Sequence, residues 1–309
     1  MNSKPRTRVQ GIYANMEDAA GVNPREQKQQ MATKQSNITE LKKKAVELRR
    51  DILIMLEKAG SGHTGGSLSL VEILVALYYY RIKHDPKRPD WPGRDKVVLS
   101  KGHGCPALYA ILAECGYFPK EELCTLRKLG SRLQGHPQIG LPGVETSSGS
   151  LGQGLSIANG MAFADRMDGR LAKVYCIMGD GETNEGQIWE AAMTASHYGL
   201  NNVCGIIDFN KMQIDGFCCD VKGLEPYARK WQDFGWHSIE VDGHDIEQLI
   251  KAIDEADSIK DKPQAIIAHT VKGKGISFME NQVKWHGISP KKEELEKALK
   301  ELDEQLKNL

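Results

Sequence analysis

At 309 residues, with 41 basic and 41 acidic side chains, the chain can bury one large core or two ordinary ones without disulfides or structural metals to hold it folded. Its charges cancel and no basic cluster spans a face, which argues against nucleic acid and against an acidic membrane surface and leaves small ligands as the expected partners. The seven cysteines include an odd one and form no C-x-x-C pair, so neither a disulfide framework nor a zinc site is expected, and a reducing cytoplasm fits best.

Residues 1 to 36 are polar, rich in Gln, Asn, Lys and Arg, and carry no sustained apolar period; they read as a poorly ordered extension without chemistry. One domain is expected over residues 37 to 309. From Asn37 onward, Ile38, Leu41, Ala45, Leu48, Ile52, Met55 and Leu56 form one stripe of an amphipathic helix, which Gly60 should end. The apolar run Leu68 to Ile82 contains Glu72 and is too short to cross a bilayer.

Short apolar runs then alternate with helical stretches. The runs are Val97 to Leu99, Val174 to Met178, Val203 to Phe209, Ser238 to Val241 and Ala265 to Ala268. Each reads as continuous, as expected of strands covered on both faces. The intervening helices are Leu155 to Met167, Gly186 to Tyr198 and Ile246 to Ala256. This order predicts an α/β fold, a parallel sheet sandwiched between helices. A charged helix from Lys291, with Leu295, Leu299, Leu302 and Leu306 on one side, ends the chain. Ligands of such sheets bind beyond the carboxyl ends of the strands, so the loops after Leu99, Met178 and Phe209 are where chemistry is expected.

The loop after Met178 is Gly179-Asp180-Gly181-Glu182-Thr183-Asn184-Glu185-Gly186, and the next strand closes with Asp208-Phe209-Asn210-Lys211-Met212. Asp180 and Asn210 lie 30 residues apart, the length of a turn, a crossover helix and a strand, so their oxygens should sit side by side at the sheet edge. A hard cation takes oxygen ligands and shares phosphate oxygens readily. Glycines beside Asp180 let backbone approach phosphates, and the following helix offers its N-terminus to their charge. The pattern is a cradle for a metal and a diphosphate. An isolated Gly-Asp-Gly is more often a strand-ending turn; the second element is what favours the cradle. A nicotinamide-binding loop fits less well, because Gly179-x-Gly181 lacks a third glycine and Gly149-Ser150-Leu151-Gly152-Gln153-Gly154 follows no clear strand.

A Gly-Asp-Gly followed some thirty residues later by an asparagine resembles the signature of thiamine-diphosphate enzymes. The resemblance implies that Asp180, Asn210 and the Met212 carbonyl hold Mg²⁺, or another divalent cation such as Mn²⁺ or Ca²⁺. It places Gly181 against the diphosphate and Glu182 among the cofactor-binding residues. Further segments narrow the resemblance to transketolase: Ser61-Gly62-His63-Thr64-Gly65-Gly66, Ser100-Lys101-Gly102-His103-Gly104, Gly135-His136-Pro137, Leu141-Pro142-Gly143-Val144-Glu145 and Trp285-His286-Gly287. They match transketolase better than the alpha subunit of pyruvate-type 2-oxo acid dehydrogenases or deoxyxylulose-phosphate synthase.

A lone loop histidine is usually structural, but imidazole can donate to phosphate or sugar oxygens and move protons near neutral pH. By resemblance, His103 and His286 lie near the diphosphate and reaction centre, His63, His136 and His286 contact the sugar hydroxyls, and the backbone of Gly149 and Leu151 meets the aminopyrimidine. Glu185 has two readings: a member of a proton network between paired active sites, or a first-turn glutamate favoured by the helix dipole. Of the other histidines, His84 and His237 read as structural or exposed, and His244 as part of a helix entry.

A full transketolase continues into a pyrimidine-binding and a C-terminal domain, which do not follow here. The resemblance therefore implies a partner, the C-terminal transketolase subunit, in an assembly with two copies of each. That partner would bring the cofactor-activating glutamate and handle sugar phosphates. The activity implied is two-carbon ketol transfer from a ketose phosphate to an aldose. Two alternatives stay open: an alpha-type subunit of a 2-oxo acid dehydrogenase or decarboxylase, and a non-catalytic regulatory remnant.

Overall fold

The computed structural model describes residues 38–214 and 216–309. The expectation for residues 1 to 36 lies outside the described residues.

The first apolar stripe becomes helix α1 (Ile38–Ala59), which buries Leu41, Ala45, Leu48, Ile52, Met55 and Leu56. Gly60 ends it at φ +64° and donates to the Leu56 and Glu57 carbonyls, the left-handed cap that glycine adopts without a Cβ penalty. The run from Leu68 folds into α2 (Thr64–Leu68), α3 (Val71–Val75) and a π-helical turn over Ala76–Arg81. Among the described residues no helix is long and apolar enough to cross a membrane.

Strand β1 (Lys96–Leu99) is followed by α4 (Cys105–Glu114), α5 (Gly154–Met167), β2 (Val174–Gly179), α6 (Gly186–His197) and β3 (Val203–Phe209). The chain continues through α7 (Cys218–Val221), α8 (Tyr227–Asp233), β4 (His237–Asp242), α9 (Ile246–Ser258), β5 (Gln264–His269) and α10 (Lys292–Lys307). The five strands pair in parallel in the order β1-β2-β3-β5-β4, the parallel sheet that the alternating pattern predicts.

Continuous apolar strands produce two cores because successive side chains point to opposite faces. Val174, Cys176 and Met178 of β2 pack with Leu155 of α5, Ile188 of α6 and Trp231 of α8. Tyr175 and Ile177, on the other face, join the core built from α1, α3 and α4. Ile266, in the middle of β5, is fully buried. Trimming one methylene with Ile266→Val should cost about 0.5–1.5 kcal/mol, read as a lower urea midpoint at unchanged m-value.

One expectation fails. Ser238 to Val241 reads as a strand covered on both faces, yet β4 lies at the edge of the sheet and Val241 is its one buried residue. Its pattern is an alternation: Ile239 and Val241 turn to the core while Glu240 is exposed, as suits a strand with a single neighbour.

Candidate active site

Strands β2 and β3 are adjacent in parallel, with Gly179 opposite Asp208, so the turns leaving them begin side by side. Asp180 is 2% exposed. Its Oδ1 accepts from the Gly181 amide at 2.8 Å and its Oδ2 accepts from the Lys211 amide, which ties the two turns together. Asn210 Oδ1 accepts from the Met212 amide at 3.2 Å, and its Nδ2 donates to Asp208 Oδ2 at 3.3 Å. Burial, and then the charge of Asp208, raise the Asp180 carboxyl to about 6. Such a group favours a nearby cation, and an Asp, an amide oxygen and a backbone carbonyl are the donors a hard cation prefers. Among the described residues no group of three or more His, Cys, Asp or Glu side chains could hold a metal, so a cation here would depend on the amide and carbonyl oxygens and on oxygens of the cofactor.

Gly181 has no room for a side chain: a Cβ would lie 2.9 Å from Gln213 Cγ. Glu182 is buried beneath it. Its carboxylate accepts from Ser100 Oγ, from the Gly152 amide at 2.9 Å and from the Gly179 amide at 3.0 Å. These bonds pin the glycine-rich segment 149–154 to the end of β2, so any cofactor contact by Glu182 falls to its backbone.

Four histidines from four separate segments converge. The ring centroid of His63 lies 5.1 Å from His103, 5.5 Å from His286 and 6.4 Å from His136, and His103 lies 5.6 Å from His286. Lys272 Nζ donates to His286 Nδ1 at 2.8 Å, which leaves the His286 proton on Nε2. Burial followed by the Lys272 charge lowers His286 to about 3, and burial followed by the Arg127 charge lowers His63 to about 4. His103 and His136 are lowered as well, by burial first. The cluster is therefore a set of neutral imidazoles, each with one donor and one acceptor nitrogen. His63 Nδ1 is buried without a partner, an atom that a polar ligand would satisfy.

Gly149, at φ +158°, places its backbone against the His136 ring, and Leu151 is half-buried nearby in sequence. Glu185 stands at the N-cap of α6, exposed, with its Cβ 2.8 Å from where a Gly152 Cβ would be. His84 packs between Tyr78 and Tyr117, while His237 pairs with Glu255 and His269 with Glu240, both at 2.8 Å.

Three charged residues at the site escaped the sequence reading. Asp208 is fully buried and pairs with Lys101, itself 1% exposed. Lys272 is 2% exposed and donates to the Met212 carbonyl at 3.4 Å. Burial, and then the neighbouring Lys101 charge, lower its ammonium to about 8. A signal was present for one of them: an aspartate inside the otherwise apolar run Val203 to Phe209 must be buried, and a buried carboxylate needs a partner.

Comparison with known proteins accords with this geometry. Residues 41–305 match the family described as "Transketolase, thiamine diphosphate binding domain". A 6-deoxy-6-sulfo-D-fructose transketolase subunit from a Clostridium species is 45% identical over 267 residues, 86% of this chain and 97% of the relative. One of the two subunits of an apulose-4-phosphate transketolase from Phocaeicola vulgatus is 42% identical over 84% of this chain and 93% of the relative. Human transketolase is 39% identical over 89% of this chain, which spans 44% of that protein. Among solved structures, Campylobacter jejuni transketolase superposes with a TM-score of 0.81 at 34% identity, covering 85% of this chain and 43% of that one. The chain belongs to the transketolase family and matches its N-terminal, thiamine diphosphate binding subunits.

Proposed function

We propose that this chain is the metal- and diphosphate-holding half of a two-carbon ketol transferase, completed by a second, C-terminal transketolase subunit in a two-plus-two assembly. The observation that carries the reading is the ring of four neutral imidazoles beside an oxygen-donor pocket at the β2 and β3 ends.

The residues fit thiamine diphosphate with Mg²⁺. Asp180, Asn210 and the Met212 carbonyl would hold the cation; Gly181, the Glu182 backbone, His103, His286 and the Lys272 ammonium would face the diphosphate; and the Gly149 and Leu151 backbone would meet the aminopyrimidine. When bound, the cofactor supplies a carbon nucleophile and an electron sink for the two-carbon unit. His63, His136 and His286 would orient the sugar hydroxyls, with His286 Nε2–H as donor and the bare ring nitrogens as proton acceptors. Glu185, exposed at the head of α6, is placed to communicate with a second active site rather than with the sugar. All seven cysteines are free thiols, which suits a reducing cytoplasm.

Relatives of similar identity are named for different sugars, so the assay starts from xylulose 5-phosphate and extends to sulfonated and branched ketoses. With Mg²⁺, cofactor and a co-expressed C-terminal subunit, two-carbon transfer to an aldose phosphate is expected, and none from this chain alone. Transfer by the lone chain would overturn the two-subunit reading, and consumption of pyruvate instead of a ketose would favour a 2-oxo acid enzyme.

A further inference from the structure

Lys272 is carried on the turn Val271–Lys274, which closes with a bond from the Lys274 amide to the Val271 carbonyl at 3.2 Å. Both ends of this turn are gripped by one buried triad remote from the histidine cluster. Glu72 of α3 is 7% exposed and pairs with Arg49 of α1 at 2.7 Å. Arg49 Nε donates to the Lys274 carbonyl at 2.9 Å. On the other side, His244 Nδ1 lies 3.0 Å from Glu72 Oε2, and His244 Nε2 accepts from the Val271 amide at 2.8 Å. A backbone amide can only donate, so Nε2 is bare and the His244 proton sits on Nδ1, facing Glu72.

The surrounding chain is shaped to bring these groups together. A Cβ on Gly243 would lie 2.4 Å from Thr270 Cγ2, so the turn that delivers His244 rests directly on the end of β5. Gly275 takes φ +92°, and a Cβ there would meet Arg49 Cδ at 2.8 Å. Between the two anchored ends, the Gly273 amide donates to the Gly65 carbonyl at 3.0 Å.

A buried ion pair is weak evidence of a role in stability, since apolar residues of the same volume often serve as well. What apolar residues could not do is hold an N–H at one end of this turn and a C=O at the other. We propose that Arg49, Glu72 and His244 are positioning residues for the diphosphate site: Glu72 orients the other two, and they fix the turn so that the Lys272 ammonium is presented to the diphosphate. The inference rests on the diphosphate reading above.

Two substitutions at His244 separate this role from packing. His244→Asn keeps a donor near the Nδ1 position, and with it the bond to Glu72, but offers no acceptor to Val271. His244→Gln reaches the Nε2 position with its carbonyl oxygen and restores that acceptor. Titrating the full chain with magnesium pyrophosphate should show H244N binding about tenfold more weakly, the usual scale for losing a group that orients a ligand, while H244Q binds like the unsubstituted chain. Hydrogen exchange over residues 271–276, read without ligand, should quicken in H244N and not in H244Q. Should H244N fail to fold, Arg49→Lys reads the other end: it keeps the charge pair with Glu72, loses the bond to the Lys274 carbonyl, and should show the same faster exchange and weaker binding. Unchanged binding and exchange in H244N or R49K, or equal losses in H244N and H244Q, overturn the inference and leave the diphosphate reading standing. No binding of magnesium pyrophosphate by the unsubstituted chain overturns the diphosphate reading, and the inference with it.

Discussion

Replacing Asp180 with alanine should lower magnesium-dependent affinity for thiamine diphosphate by about a hundredfold or more, about 2.8 kcal/mol. The effect is expected to be large because Asp180 is the one carboxylate of the proposed cation site; the other two ligands are a neutral amide and a neutral carbonyl. Asp180 also joins two turns through the Gly181 and Lys211 amides, so alanine alone would confuse lost charge with lost geometry. Asp180→Asn resolves this: its carbonyl oxygen can still accept from one of the two backbone amides, while the charge is gone. Calorimetric titration of the complex with its partner subunit should show near-normal unfolding for D180N and a cofactor affinity almost as poor as that of D180A. Normal affinity in D180N would place the cation elsewhere.

Replacing Asp208 should produce the largest loss of stability at the site. Asp208 accepts from Lys101, from Ser69 Oγ at 2.6 Å, from Thr270 and from Asn210 Nδ2 at 3.3 Å. Burial alone would raise its carboxyl, but the Lys101 charge outweighs burial and holds it below the usual carboxylate range. Asp208→Ala leaves the Lys101 ammonium buried with the Gly66 carbonyl, 3.1 Å away, as its remaining acceptor. Breaking one side of such a pair costs about 3–5 kcal/mol, measured as a lower guanidinium midpoint. The double change Lys101→Met with Asp208→Leu should recover much of that stability, since the stranded charge is removed along with its partner. Cofactor affinity should not recover in the double variant, because Asn210 has lost the acceptor that turns its amide. Recovery of binding together with stability would mean that Asp208 does not orient Asn210.

The cation site was legible because its residues follow apolar runs that have to be strands. Once β2 and β3 are placed next to each other, Asp180 and Asn210 meet whatever the rest of the chain does. The histidines were legible only as residues in glycine-bounded loops: His63 and His286 are 223 positions apart, and no periodicity relates them. Strand β4 was misread because a four-residue run offers too few positions to tell alternation from continuity, and because edge position depends on strand order, which local pattern does not encode. Lys101, Asp208 and Lys272 were passed over because a lysine near a glycine is ordinarily a solvated surface residue.

The sequence by itself determined the alternation of strands and helices, the caps and turns that delimit them, and the oxygen donors at two neighbouring strand ends. These follow from side-chain periodicity and backbone sterics, which act over a few residues. Only the tertiary structure decided that four imidazoles share one neutral cluster, that a buried lysine faces the Met212 carbonyl, and that Arg49, Glu72 and His244 close on a single turn. Protonation and orientation there are set by desolvation and by charges brought together from distant parts of the chain, and neither exists until the core has closed.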